Sequence, residues 1–256
     1  MIRAALALLL IPMSALSQEG ADIVVLGEVH DSAEAHARQA ELVAEIVPAA
    51  LVFEMLTADQ VAAAEGIDLT DADALAAAFA WADSGWPDFA LYSPIFAAAP
   101  EAALYGGSAP RDLVTAVATH PPGAANASPM RGYDLPPLSG ADRAVLMDEQ
   151  FEAHCRAMPR EMMGRMVDAQ RLRDWWMADA ALLALEETGG PVVVIAGTGH
   201  ARADFGVPAV IAHLAPGTSV WTLGQVEGAA PPGAPFDSVE AVPPVDRPNP
   251  CAAFAE

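Results

Sequence analysis

Two short segments of the sequence each place a histidine three residues after a glycine. The first runs from Gly27 to His30 and continues into Asp31, and the second runs from Gly197 to His200. Imidazole and carboxylate groups are common protein ligands of zinc or manganese, and they also serve as general acids and bases. One such segment would mean little, but two of them indicate a functional site.

Each segment follows an apolar run that is typical of a buried strand. Ile23–Leu26 precedes the first segment and Val192–Ala196 precedes the second, and neither run alternates with polar residues. Such runs are found in central strands of parallel sheets, and Gly27 is expected to permit a tight turn after the first. Because ligand sites of open α/β sheets lie outside the carboxyl ends of the strands, His30 and His200 are expected to share one crevice.

Two carboxylates are expected in the same crevice as the histidines. Glu28 belongs to the first segment, and Glu54 follows the short apolar run Leu51–Phe53, which predicts another strand. Glu28, His30, Glu54 and His200 are therefore candidate metal ligands, or candidate catalytic residues of an acid–base site without metal. No H-E-x-x-H, G-x-S-x-G, P-loop or C-x-x-C motif is present, so both alternatives stay open.

A long helix is predicted from about Arg160 to Glu187. Gln170 and Asp174 lie one turn apart on it, beside an apolar face. Polar side chains are unfavourable in such a position unless they form hydrogen bonds. We expect these two residues to orient the histidines of the site, or to tie the helix to the loops at the strand ends.

The order of these elements predicts an α/β fold, with a central, mainly parallel sheet flanked by helices. A small all-helical insertion is expected at about residues 57–97. It contains an aromatic cluster that begins at Trp81, ends at Tyr92 and includes Trp86 and Phe89. These side chains could line a flat cavity for a large planar ligand, or they could pack as a minor core.

The first 17 residues have the pattern of a secretory signal peptide. Arg3 supplies a positive charge, Ala4–Met13 an apolar core, and Ala15–Ser17 a small-x-small cleavage site. The mature domain would be residues 18–256, in the periplasm or outside the cell. The apolar run is shorter than the roughly 20 residues that span a bilayer, and no cysteine follows the cut. Neither stable membrane insertion nor a lipid anchor is expected.

Composition bounds the partners and the redox chemistry. The formal net charge of −22 argues against nucleic acid and anionic membrane surfaces, because Lys and Arg must neutralise phosphates in both. Cys155 and Cys251 are the only cysteines. Export would permit a disulfide between them, but the sequence cannot show that they are close, so free thiols are an equal alternative.

Six motifs together resemble one known family. They are LGEVHD at Leu26–Asp31, FEM at Phe53–Met55, W-x4-W-P-x4-Y at Trp81–Tyr92, AHC at Ala153–Cys155, AQRLRDWWMA at Ala169–Ala178 and AGTGHARADFGVP at Ala196–Pro208. With them the chain resembles the ChaN-like haem-binding uptake proteins of the Tiki superfamily, a group similar to TraB-type proteins and erythromycin esterases. The resemblance implies a parallel sheet with a small helical domain, and a bacterial role in haem or iron acquisition.

The resemblance also implies how haem would be bound. In this family haem is held through a tyrosine, and homodimers bring the haems together. Tyr92 is the expected ligand, because it is the tyrosine that lies in a matching motif and phenolate is a recognised ligand of haem iron. Arg111 or Arg202 would pair with the propionates, and His30 and His200 could contact the cofactor.

Two points limit the comparison with the family. The chain lacks the lipobox that is expected of uptake-type members, and the superfamily has peptidase-like and esterase-like branches that use the same motif positions. A metal-dependent or acid–base hydrolase is therefore the alternative function. In that case His30 and His200 would hold zinc or manganese or activate water, and Glu28 or Glu54 would be the base.

Overall fold

The computed structural model describes residues 20–119, 133–249 and 251–252. The expected signal peptide, residues 1–17, lies outside them, as does most of the stretch 120–137, which its Pro, Gly and Asn residues predict to be an irregular loop. The strands are β1 (Ile23–Glu28), β2 (Ala50–Phe53), β3 (Ala103–Gly106), β4 (Val192–Gly197), β5 (Val220–Glu227) and β6 (Ser238–Val242). The helices are α1 (Ala33–Ile46), α2 (Ala58–Ala63), α3 (Ala72–Ala78), α4 (Phe89–Ala97), α5 (Arg111–Thr119), α6 (Gly140–Ala153), α7 (Met163–Thr188) and α8 (Val207–Leu214), with 3₁₀ turns at Trp81–Asp83 and Arg160–Met162.

The strands form one sheet in the order β3-β2-β4-β1-β5-β6, and every neighbouring pair is parallel. β1 lies at the centre, where Val24 is in register with Val193 of β4 and with Trp221 of β5. All six residues of β1 and all six of β4 are buried, as expected for strands with helices on both faces. The predicted α/β fold is confirmed.

Two apolar cores cover the two faces of the sheet. In one of them α1, α3 and α4 pack on the sheet, and Phe53 of β2 stacks on Phe96 of α4 with ring centroids 4.2 Å apart. In the other, α7 and α8 cover the opposite side of the same strands, with Met177 and Val210 in contact with Val194 and its neighbours. The helices of the expected insertion thus share a core with the sheet.

Local sequence signals explain where the helices begin and end. Ser32 caps α1, since its side chain accepts a hydrogen bond from the backbone N–H of Ala35. The long predicted helix, α7, begins at Met163 after a 3₁₀ turn and ends at Thr188. Gly189 follows it with a φ of 79°, a left-handed conformation that stops the helix. Helix α6 ends at Ala153, and Cys155 and Arg156 after it adopt positive φ angles that do not continue a helix.

The chain leaves β1 and β4 in opposite directions. After β1 it passes through α1 to β2, whereas after β4 it passes through α8 to β5 on the other side of β1. Adjacent parallel strands with divergent connections leave a crevice between their carboxyl ends, and this is where open α/β folds bind ligands. Both Gly-x-x-His segments lie there.

The C-terminal tail returns from β6 to this crevice. Arg247 lines the crevice and donates hydrogen bonds to Asp31, directly after the first Gly-x-x-His segment, and to Glu227 at the end of β5. A little farther on, Cys251 forms a disulfide with Cys155, which settles the alternative that the sequence left open. No helix in the described ranges is both long enough and apolar enough to cross a membrane.

Candidate functional site

A crevice of about 850 Å³ opens at the carboxyl ends of β1, β2 and β4. Its walls come from the two Gly-x-x-His segments, the loop after β3, helix α7, the C-terminal tail and Trp86 of the aromatic cluster. Pockets of about 300 to 1,000 Å³ are typical of sites for organic ligands. Five predicted site residues line it: Glu28, His30, Glu54, Gln170 and His200.

Glu28 and His30 form a bonded pair at the end of β1. Glu28 is 2% exposed, and its Oε1 lies 2.8 Å from Nδ1 of His30, which donates the hydrogen bond. The side chain of His30 is 36% exposed and lies beside Trp86, with ring centroids 4.9 Å apart. Nε2 of His30 lies 4.0 Å from Glu54 and has no hydrogen-bond partner among the described residues. Nδ1 of His30 is thus fixed by Glu28, whereas Nε2 is available to a ligand in the crevice.

A second histidine, His36 of α1, contacts Glu28 from the interior. Its Nδ1 is 2.7 Å from the carbonyl oxygen of Ser32, which can only accept, so Nδ1 carries a proton. Its Nε2 lies 3.3 Å from Glu28 Oε2, without the alignment of a hydrogen bond. Burial by itself raises the pKa of Glu28, but the contacts with His30 and His36 outweigh it, and the net pKa of Glu28 is lower than its ordinary value.

His200 lies between two carboxylates. Its Nδ1 is 2.5 Å from Asp174 Oδ1, and its Nε2 is 3.2 Å from Glu54 Oε1. The other oxygen of Glu54 accepts a 2.7 Å hydrogen bond from the backbone N–H of Gly197. All three side chains are at least nine-tenths buried. An imidazole whose two nitrogens both face carboxylates is stable as the imidazolium, because both nitrogens then donate.

Gln170 packs against the face of His200. Its Nε2 is 3.2 Å from Nδ1 and 3.1 Å from Nε2 of the imidazole. A point nearly equidistant from both ring nitrogens at this range lies above the ring plane, because an in-plane position would overlap the carbon between them. The amide nitrogen of Gln170 therefore lies over the ring of His200, next to the crevice that Gln170 lines. Both polar residues predicted on the long helix, Gln170 and Asp174, contact His200.

The charges of the site follow from these contacts. Burial by itself lowers the pKa of His200, but attraction to Glu54 and Asp174 outweighs it and raises the pKa to about 10. Burial raises the pKa of Glu54, but His200 and His30 together bring it down to about 2. For His30, burial lowers the pKa and the contacts with Glu28 and Glu54 raise it, with a net increase. His200 and Glu54 are therefore both charged at neutral pH.

The two Gly-x-x-His segments pack so closely that a side chain on Gly27 or on Gly197 would clash with residues of the other segment or directly after it. A Cβ on Gly27 would lie 2.8 Å from Ala201 Cβ and 2.9 Å from Thr198 Cα in the second segment. A Cβ on Gly197 would lie 2.8 Å from Nε2 of His30 in the first. The expected tight turn at Gly27 is wrong, because β1 continues through Gly27 to Glu28 without a positive φ. Close packing between the two segments, not backbone freedom, requires glycine there.

None of the three tyrosines lines the crevice. Tyr92, expected to ligate haem iron, is fully buried, and its hydroxyl donates to Glu28 Oε1 at 3.1 Å. Burial and the charge of Glu28 raise the pKa of Tyr92 far above its usual range, so it is held as a neutral phenol. Tyr105 donates to Glu187 at 2.6 Å. The hydroxyl of Tyr133 is buried without a partner in the described part of the chain.

The arginines at the crevice differ from the two expected there. Arg202 forms ion pairs with Glu149 at 2.7 Å and with Asp204 at 2.8 Å, and Arg111 is exposed at the start of α5. Neither lines the crevice, whereas Arg173 of α7 and Arg247 of the tail do. Sequence reasoning missed both arginines. Arg173 nevertheless lies on the same predicted helix as Gln170 and Asp174, and it directly precedes Asp174.

The predicted zinc or manganese site is not supported by the positions of the side chains. Within the described ranges, no group of three or more His, Cys, Asp or Glu side chains is placed to hold a metal ion. The reason is that the candidate donors are bonded to one another. Glu28 accepts from His30, and His200 faces Glu54 with one nitrogen and Asp174 with the other. These carboxylates and imidazoles are instead arranged to share protons with one another through hydrogen bonds.

His36 was also missed, and the sequence held a weak signal for it. His36 and Gln39 are the polar residues on the face of α1 that buries Ala35, Leu42 and Val43. A polar pair on a buried helix face needs partners, and here the partner of His36 is Glu28 while Gln39 donates to the carbonyl oxygen of Leu26. The periodicity could have indicated the pair, but not its target.

The fold is similar to that of a known structure. A structure of ChaN from Campylobacter jejuni, described as showing cofacial heme binding, is similar over 82% of this chain and 84% of that chain, with a TM-score of 0.64 and 20% sequence identity. This likeness shows the fold. The type III effector HopBA1 covers 87% of this chain and 88% of its own, with a TM-score of only 0.45 and 13% identity, which is too low to carry an argument. No curated sequence matches significantly.

The comparison with protein families is more specific. The model described as "Haem-binding uptake, Tiki superfamily, ChaN" matches residues 15–211, which is well over half of the chain. That range contains both Gly-x-x-His segments, Glu54, the aromatic cluster and α7. The match agrees with the motifs on which the resemblance to this family rests. The chain belongs to the ChaN family of haem-binding uptake proteins in the Tiki superfamily.

Proposed function

We propose that this protein binds haem in the crevice at the carboxyl ends of β1 and β4, and that it serves haem or iron acquisition as an exported protein. The observation that carries the proposal is the hydrogen bonding and the orientation of the His30 imidazole. Its Nδ1 is fixed by Glu28 at 2.8 Å, its Nε2 has no hydrogen-bond partner among the described residues, and its ring faces the crevice beside Trp86.

The residues present fit a haem group. Histidine that donates its other N–H to a carboxylate is a common arrangement of metal ligands, and imidazole is a recognised axial ligand of haem iron. Glu28 would hold the His30 ring in position, and Trp86 would offer an aromatic face to the macrocycle. Bound haem would supply an iron centre that accepts a ligand from the protein.

Tyr92 is the competing candidate for the axial ligand. To serve, it would have to leave its hydrogen bond with Glu28 and lose a proton inside an apolar core. The structure therefore favours His30. Haemin titration of the mature protein tests both: His30→Ala should abolish or shift the Soret change, and Tyr92→Phe should preserve it. Loss in Tyr92→Phe with retention in His30→Ala would reverse the assignment, and no saturable Soret change in the wild type would end the haem proposal.

Two further parts of the proposal concern location and assembly. The Cys155–Cys251 disulfide supports an oxidising compartment, such as the periplasm or the exterior, because cytosolic proteins rarely keep such bonds. The Campylobacter protein is described as binding haem cofacially, which supports a homodimer that brings two haem groups together in this family. Sedimentation of the haem-loaded and haem-free protein would show whether this chain pairs on loading.

Metal-free acid–base hydrolysis is a second candidate, and one observation favours it. The Glu28–His30 pair has the geometry of a carboxylate that orients a general base, and the base is accessible. His30 would take a proton from water as the water oxygen attacks an ester or amide carbon, and it would return the proton to the leaving group. Hydrolysis of an ester or peptide library that disappears in His30→Ala would support this reading, and no hydrolysis by the wild type would remove it.

A further inference from the structure

Most arginines in the described part of the chain donate to a carboxylate or a backbone carbonyl. The sequence has no lysine, so arginine is its only permanently charged basic side chain. Of the ten arginines in the described ranges, eight donate to a carboxylate or a backbone carbonyl: Arg38, Arg143, Arg156, Arg160, Arg165, Arg171, Arg202 and Arg247. Arg111 and Arg173 form no ion pair or hydrogen bond with the described residues. Arg111 is exposed at the surface, whereas Arg173 is half-buried and lines the crevice.

An unpaired arginine in this crevice is unexpected on grounds of charge. Acidic residues outnumber basic ones by 34 to 12, and Asp31, Glu28 and Glu54 line the same cavity. Each of those three carboxylates already has a partner: Arg247 for Asp31, His30 for Glu28 and His200 for Glu54. The carboxylates of the cavity are thus occupied while Arg173 is not. A ligand that brings its own anionic group would satisfy it.

The position of Arg173 is rigid enough for recognition. Its neighbours Leu172 and Asp174 are buried, and Asp174 bonds to His200 across the site. The guanidinium therefore projects from a fixed point on a long helix that packs on the sheet. Sites on such elements are more precise than sites on loops. Guanidinium and carboxylate groups match in a planar, two-pronged geometry, which a point charge cannot reproduce.

We infer that Arg173 is the specificity residue of the crevice and binds a carboxylate of the ligand. The inference rests on the proposed function, since it takes the ligand to occupy this cavity, and it deepens that function by naming the ligand class. The crevice accepts porphyrins with free carboxylates and discriminates against their esters. For haem, the group bound by Arg173 is a propionate.

Four ligands separate carboxylate recognition from iron ligation. They are haemin, haemin dimethyl ester, protoporphyrin IX without iron, and protoporphyrin IX dimethyl ester. Binding to the wild type, Arg173→Gln and Arg165→Gln is followed by quenching of tryptophan fluorescence. Arg165 lies on the same helix, two turns from Arg173, and does not line the crevice, so it is the matched control. Thermal melting of each variant shows that it is folded.

The expected result is an effect of Arg173 on the free acids alone. Arg173→Gln should weaken binding of haemin and of protoporphyrin IX about tenfold or more, since a hydrogen bond to a charged group is lost. It should leave both esters within about twofold of the wild type, and Arg165→Gln should change none of the four. An equal loss for acids and esters, or no loss for the acids, would overturn the inference while haem binding stands. If the wild type binds none of the porphyrins, the inference and the haem proposal both fail.

Discussion

The imidazole of His30 occupies the place that a side chain on Gly197 would take, because a Cβ built there would lie 2.8 Å from Nε2. The same Gly197 donates its backbone N–H to Glu54 at 2.7 Å. One residue without a side chain therefore sets both the position of the proposed haem ligand and that of the carboxylate next to it. This relationship leads to the first prediction.

Gly197→Ala should displace His30 without removing any of its atoms. We expect haemin affinity to fall about tenfold or more, and the unfolding free energy to fall by about 1–3 kcal/mol, as for other overpacked sites. Haemin titration measures the affinity, and urea unfolding measures the unfolding free energy. Gly217→Ala is the control, because a Cβ at Gly217 meets no atom within 4 Å and should change neither quantity. Unchanged haemin binding in Gly197→Ala would show that the exact position of His30 is unimportant.

Haem binding should weaken in acid. Binding to iron needs the lone pair on Nε2 of His30, and although burial lowers the pKa of this group, Glu28 and Glu54 raise it above the ordinary value. Protons therefore compete with the ligand below that pKa, and the haemin dissociation constant should increase as pH falls from about 8 to about 5.5. Titrations across this range measure it. A dissociation constant that is flat with pH would contradict ligation through His30.

Protein stability should depend on pH through the buried pair of His200 and Glu54. The pKa of His200 is raised to about 10 by its contacts with Glu54 and Asp174, which overcome burial, so its contribution is complete below the unfolded pKa of about 6.5. That contribution is lost as pH rises towards 10. The pKa of Glu54 is lowered to about 2 by His200, against the effect of burial, so its contribution is lost as pH falls from about 4.5 towards 2.

Urea unfolding at several pH values checks this dependence. The unfolding free energy of the wild type should be highest between about pH 5 and 6.5 and should decline on both sides. His200→Gln should remove most of the decline on the alkaline side, at the cost of lower stability at every pH. The same alkaline decline in His200→Gln as in the wild type would assign it to other groups.

Reduction of the disulfide should destabilise the protein and release the tail. Cys155 and Cys251 are separated by 96 residues in sequence, and closing a loop of that size is expected to contribute about 2–4 kcal/mol. The urea midpoint of the wild type should fall when a reductant is added, whereas Cys155→Ser with Cys251→Ser should not respond. Two free thiols in the unreduced protein would contradict the bond itself.

The sequence allowed a good part of the sheet to be predicted, for a physical reason. Ile23–Leu26 and Val192–Ala196 are apolar without alternation, and such runs have few uses besides a strand buried on both faces. The polar residues at their ends had to meet once the strands were adjacent. Glu54 and Asp174, two of the predicted site residues, both lie within bonding distance of His200, which is a third.

The remainder of the site depends on contacts that no local pattern encodes. Tyr92 lies in a matching motif, yet whether its hydroxyl faces the crevice or the core depends on how α4 packs against α1. Arg173 is one arginine among several on α7, and what distinguishes it is the lack of a partner among the residues that the structure describes, which no sequence pattern reveals. The pairing of Arg247 with Asp31 joins the two ends of the chain, so no window of sequence contains it.

The central position of β1 has a consequence for the folding of the chain. β1 is the first strand to be synthesised, yet Ile23 pairs with Val192 on one side and with Val220 on the other. The backbone N–H and C=O groups of β1 therefore have no strand partners until most of the polypeptide has been synthesised. Until then the apolar side chains of β1 stay exposed to water. Such distant pairings slow folding and expose a chain to aggregation. We expect refolding to be slow, and a holding chaperone to increase its yield, more than for a protein whose first strands pair with each other.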